Sequence, residues 1–174
     1  ITNAVSGGNY LTEIQMAASV NHSHLLFDCL WVNSGLNITT TTAQAITTPT
    51  LPARDINGTT NGEGCMIALL CTAAVGLAAV ASNATVSYTN SKGVAGRTAT
   101  LSAIVGSQAP ATPVIGTLIW FNLAAGDTGV RSIEGITLGT SWVSGTISLM
   151  ITRDIATIGT TIPNVSAQKI IGAP

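Results

Sequence analysis

Charge is the scarcest property of this sequence. Its 174 residues include six Lys or Arg and seven Asp or Glu, so charged side chains make up 7% of the chain, against roughly 25% in ordinary soluble domains. Hydrophobic residues make up 46%, and the uncharged polar share falls on Thr, Ser and Asn. A surface so poor in charge is weakly defended against association, which implies that other subunits cover much of it. A net charge of −1 gives no electrostatic basis for binding nucleic acid. The length allows one domain with a sizeable core.

Cysteine is sparse and odd in number: Cys29, Cys65 and Cys71. Cys65 and Cys71 share one apolar run, and a straight strand holds their Cα atoms too far apart to bridge. A bridge to Cys29 stays open, but buried free thiols are the expectation. A membrane-spanning helix is also missing. The run from Cys65 to Ala81 is uncharged, but Ala and Gly dilute its second half and no Lys or Arg flanks it closely, where a span needs about 20 mostly apolar residues. A buried strand at Cys65–Ala73 with a small-residue loop after it is expected instead. The chain opens on Ile rather than Met, and the expectation is a processed start or a leader, with no signal peptide in view.

No amphipathic helical period runs longer than two turns. What the chain has is alternation. Val143, Ile147, Leu149 and Ile151 share one parity against Ser144, Thr146, Ser148 and Thr152, which Met150 joins, the mark of a half-buried strand. Before it, Val130, Arg131 and Ile133 lead to Gly135, where the apolar parity switches to Ile136 and Leu138, which suggests a β-bulge. With Gly139-Thr140-Ser141 as a turn, the two runs read as an antiparallel hairpin. Ala84–Asn90, Arg97–Ala103 and Thr117–Leu123 add further strands, the last apolar on both parities and so central. From His24 to Val32 both parities are apolar, as in a strand covered on both sides or placed at an interface. The Thr-rich stretch from Ile38 to Thr48 suits an edge. Residues 49–64 form the longest loop, of a kind that is often functional, and 106–113 a second. About eight short strands at this spacing predict an all-β fold, an antiparallel β-sandwich or jelly roll. Its expected extent is 10–153, between an N-terminal arm (1–9) and an extended C-terminal tail (154–174).

Signatures of chemistry are weak. Asp127-Thr128-Gly129 matches the DTG of aspartic proteases, with Ile170-Ile171-Gly172 as a later apolar pair and glycine, and that reaction needs two carboxylates sharing a proton. No apolar strand leads into Asp127, and a Gly-Asp-Thr-Gly turn explains the same residues. His22 and His24 share a strand face, but zinc needs three or four ligands and nothing completes a set. Sequons at Asn21, Asn37, Asn57, Asn83 and Asn164 follow from the composition. No Ser/His/Asp order, phosphate-cradling glycine loop or basic-aromatic stripe is present. Hence no catalytic residue, metal or cofactor is assigned. Trp31, Trp120 and Trp142 read as core or interface anchors rather than as a sugar platform.

Four stretches carry a likeness to a known group. They are Leu30-Trp31-Val32-Asn33-Ser34-Gly35-Leu36, Thr50-Leu51-Pro52-Ala53-Arg54, Ser87-Tyr88-Thr89-Asn90 followed by Gly96-Arg97-Thr98-Ala99, and Ala125-Gly126-Asp127-Thr128-Gly129-Val130-Arg131-Ser132. Over about residues 29–153 the chain resembles virion structural proteins of tailed bacteriophages, of the kind that decorate capsids as cement. The resemblance implies a non-enzymatic structural protein on the capsid exterior. Its expected partners are the major capsid protein and further copies of itself as a homotrimer, with no membrane involved. A tail or fibre module binding a receptor or glycan is the alternative. The expected partner contacts are Trp31, Arg54 and Asp55, together with Ile158, Ile162, Ile170 and Ile171 in the tail, where Ile155 and Val165 are also free for burial between subunits.

Overall fold

The structure is a computed structural model that describes residues 13–76, 84–101 and 114–170. The N-terminal arm, the loop at 106–113, Asn83 and Ile171 lie outside the described residues. Ten strands and no helix are found among those described: β1 (Glu13–Met16), β2 (His22–Asn33), β3 (Gln44–Ala45), β4 (Cys65–Ala73), β5 (Thr85–Asn90), β6 (Arg97–Leu101), β7 (Leu118–Asn122), β8 (Val130–Thr137), β9 (Thr146–Thr160) and β10 (Ala167–Ile170). The all-β prediction holds. Eight strands form one antiparallel sheet in the order β2-β9-β4-β7-β6-β5-β8-β3. The sheet curls until β4 packs against β8, which gives the sandwich-like arrangement. Its core is a single cluster that includes Ile67, Leu69, Val86, Tyr88, Ile133 and Leu149.

Two compact units divide the chain: 28–153, and a smaller one made of the two ends (1–27 and 154–174). The larger unit holds β3 to β8 and most of the core. In the smaller, β1 and β10 pair antiparallel from Glu13↔Ile170 to Met16↔Ala167. Of the described residues, 13–27 and 154–170 lie in the smaller unit.

Several local readings hold. The run Cys65–Ala73 is a buried strand, and β7 sits in the middle of the sheet. The bulge lies where Gly135 marks it, because Ser87 pairs with Gly135 and Tyr88 with Ile133, leaving Glu134 unopposed. The Thr-rich edge exists, but only Gln44 and Ala45 are strand, paired to Ile136 and Gly135 of β8.

Other readings are corrected. β8 and β9 are not a hairpin, since β4, β7, β6 and β5 stand between them. Residues 138–145 cross from one side of the curled sheet to the other and bury Trp142 completely on the way. Alternation identifies a strand but not its neighbour, and eight residues are more than a tight turn needs. β9 is not half-buried either: Ser148, Met150 and Thr152, of the other parity, are also buried, so both faces of this stretch are covered. It runs on to Thr160, with Ala156, Ile158 and Thr160 buried and Thr157 and Gly159 exposed, so the expected tail begins as strand. β2 is an edge strand and is not covered on both sides: Leu25, Leu26 and Val32 are 38%, 38% and 55% exposed. All three cysteines are free, but only Cys65 and Cys71 are buried, and Cys29 is exposed.

Candidate functional site

The long loop 49–64 is built around one carboxylate. Asp55 accepts hydrogen bonds from the backbone N–H groups of Asn57 (2.9 Å), Thr59 (2.6 Å) and Glu63 (3.1 Å), and from the Thr59 hydroxyl (2.6 Å). Without these bonds a segment carrying Pro49, Pro52 and three glycines would hold no single shape. Burial raises the Asp55 pKa, but the bonds from Thr59, Glu63 and Asn57 outweigh it, and the net shift is downward. Asp55 is 2% exposed. It is therefore an internal organiser and not a partner contact, a role that its four donors show and the sequence does not.

Neighbouring Arg54 points outward. Its Nε lies 3.2 Å from Asp28 Oδ2 on β2, and its Nη2 donates to the Cys29 carbonyl at 3.4 Å. Trp31, also on β2, is half-buried and packs against the core. From β9, Arg153 donates to the Asp55 carbonyl at 3.3 Å. Of the expected contacts, Trp31 lies on the outermost strand β2 and Arg54 reaches that strand from its loop at Asp28 and Cys29. Of the four in the other unit, Ile162 and Ile170 are exposed by 59% and 73%, whereas Ile158 is buried and unavailable. Ile171 lies outside the described residues.

Asp127 of the DTG triplet is engaged in a different way. Its carboxylate accepts from Tyr88 Oη, from Asn90 Nδ2 (2.8 Å) and from Arg97 Nε (2.8 Å). The Tyr88 hydroxyl in turn accepts from the Ala124 backbone at 2.9 Å, and Arg97 Nη2 reaches the Ala125 carbonyl. Arg97, Tyr88 and Asn90 hold the Asp127 pKa down at about 2. The group is an ion pair that ties β5 and β6 to the turn before β8. It is not one of two carboxylates sharing a proton. The sequence had a signal for this, since Tyr88, Asn90 and Arg97 flank a turn on adjacent strands.

A cleft of about 150 Å³ lies where β3 parts from β8, lined by Thr48, Leu51, Thr60, Arg131 and Ser132 among others. That is well below the roughly 300–1,000 Å³ of ligand pockets. Among the described residues no three His, Cys, Asp or Glu side chains gather to hold a metal, and no helix is long and apolar enough to cross a membrane. No protein-family model, curated protein or solved structure matches the chain.

Proposed function

We propose that the protein is a structural component of a phage virion that decorates the capsid exterior. In this reading it binds at junctions between major capsid protein subunits, as a homotrimer, and performs no catalysis. The resemblance over residues 29–153 points to the class. The observation that carries the reading is the distribution of exposed apolar surface. Half of the large apolar side chains exposed among the described residues belong to the smaller unit: Val20, Leu25, Leu26, Ile162, Val165 and Ile170. Its β1–β10 pair has no buried residue in either strand, and a lone two-stranded ladder is marginal in water. That ladder gains stability by being covered. Each apolar side chain buried on a capsid subunit contributes about 1.5–3 kcal/mol before ordering entropy is subtracted. Binding only to the assembled shell then raises the free energy of shell opening by mass action.

The tail-fibre alternative needs exposed tryptophans. Trp142 is buried, Trp31 and Trp120 are half-buried, and Trp31 packs on the core, so no open aromatic platform supports it. The deciding measurement is the copy number of this chain in purified virions. A number that scales with the capsid subunits supports cement. A number matching one vertex or the tail tip, or absence from virions, defeats it.

A further inference from the structure

β8 has a second bulge, and it carries an arginine. Thr89 pairs with Ser132 and Asn90 with Val130, so no residue of β5 opposes Arg131. A bulge re-aims the side chain at its extra residue. Arg131 is exposed and lines the cleft of about 150 Å³ between β8 and the loop 49–64.

The other three arginines are engaged. Arg54 meets Asp28, Arg97 meets Asp127, and Arg153 donates to the Asp55 carbonyl. Among the described residues Arg131 has neither an ion pair nor a hydrogen bond. Glu134, the nearest acid along β8, instead accepts from the Ser132 hydroxyl at 2.6 Å and the Thr89 hydroxyl at 2.8 Å. No carboxylate lines the cleft. A guanidinium keeps its charge at any ordinary pH, so the cleft presents a positive charge without a counter-charge.

The rest of the lining decides which anion suits it. The Thr48 hydroxyl is spent on Ile133 and the Ser132 hydroxyl on Glu134. The hydroxyls of Thr50 and Thr60 donate to no described residue and are free to serve a ligand. Pro49 and Leu51 supply an apolar wall. That wall is anchored in advance: Leu51 is 2% exposed, and the Gly62 carbonyl accepts from Val130 N at 3.0 Å. A site set before its ligand arrives loses little to ordering on binding. The volume is too small for a whole drug-sized ligand but suits one functional group.

We propose that this cleft binds a single carboxylate carried on a short aliphatic stem. The Arg131 fork donates to the two carboxylate oxygens, Thr50 and Thr60 add hydroxyl donors, and the stem lies on Pro49 and Leu51. Chloride lacks the paired oxygens, and sulfate lacks the stem. The inference stands on the larger unit alone and does not rest on the virion reading.

NMR titration of the full chain with sodium propionate tests it, against propionamide, sodium sulfate and NaCl at equal ionic strength. The expected result is saturable shifts at residues 48–51, 60 and 131–132, with a Kd of millimolar order for an exposed charge pair. Propionamide has the same shape without the charge and should give none. Arg131→Gln should weaken propionate binding at least about tenfold with the rest of the spectrum unchanged. Lys92→Gln, outside the cleft, should not. If Arg131→Gln misfolds, Thr60→Val should weaken binding about threefold. A glutamate blocked at both ends distinguishes the source: binding tighter than propionate supports a protein side chain as the ligand, and weaker binding a free acid. No saturable shift with either acid, shifts that NaCl or propionamide reproduces, or binding that a folded Arg131→Gln or Thr60→Val variant retains in full overturns the proposal. So does sulfate that binds tighter than propionate, since the cleft then reads charge without the stem.

Discussion

Single side chains carry the clearest chemistry. The Asp127 carboxyl has a folded pKa of about 2 against an ordinary 3.8, because Arg97, Tyr88 and Asn90 all favour its charged form. A depressed folded value contributes stability that is fully present above about pH 3.8 and is lost as pH falls towards 2. Asp127→Asn should therefore lower the melting temperature at pH 7 and narrow the gap between pH 7 and pH 3 melting temperatures. An unchanged gap would mean that the ion pair is not formed in solution. The thiols offer a second measurement. Burial pushes Cys65 up to about 11 and raises Cys71 as well. A thiolate-seeking reagent at pH 8 should label only exposed Cys29 in the native protein and all three cysteines in denaturant, as mass spectrometry would read directly.

At the scale of elements, edge strands are managed by side chains rather than by further strands. Beyond the two residues of β3, the Thr48 hydroxyl accepts from Ile133 N and donates to Ile133 O, both at 2.9 Å, continuing the ladder that β3 abandons. Thr48→Val leaves both groups without that partner and should cost about 1–3 kcal/mol in denaturant unfolding. A loss below about 0.5 kcal/mol would show that water replaces the hydroxyl at no cost. The loop 49–64 docks on β8 through Gly62, which has φ of +74° and where an added Cβ would meet the Val130 carbonyl oxygen at 1.8 Å. Gly62→Ala combines left-handed strain of about 1–2 kcal/mol with that clash. It should destabilise more than Gly126→Ala, where φ is +84° but nothing lies within 4 Å.

For the whole molecule, the two units make different demands. Removing residues 154–174 strips β9 of Ala156, Ile158 and Thr160, all buried, and should destabilise the fold itself by about 2–5 kcal/mol. Removing 161–174 spares them and takes away β10 with exposed Ile162, Val165 and Ile170. The shorter deletion should leave the main thermal transition unchanged and, under the capsid-decoration proposal, reduce occupancy on particles. Full decoration by that truncated chain, with the same heat resistance of the particles, would show that the C-terminal strand takes no part in attachment.

The sequence by itself determined the class and most of the strands. The period of two at Ala84–Asn90 and Arg97–Leu101, the apolar run at Cys65–Ala73 and the glycine at a parity switch are local features, set by which side of a pleat each residue occupies. The scarcity of charge was legible too, and with it the expectation of association. Only the tertiary structure decided which strands are neighbours. The sequence places Val130–Thr137 and Thr146–Thr160 side by side, whereas the fold parts them by four strands, because pairing depends on the closure of the whole curled sheet. It also decided that Asp55 faces its own loop while Arg54 faces outward, and that Ile158 is core while Ile162 is surface. In each case adjacent or similar residues differ in environment, and alternation cannot see what a chain segment far away in sequence brings to cover them.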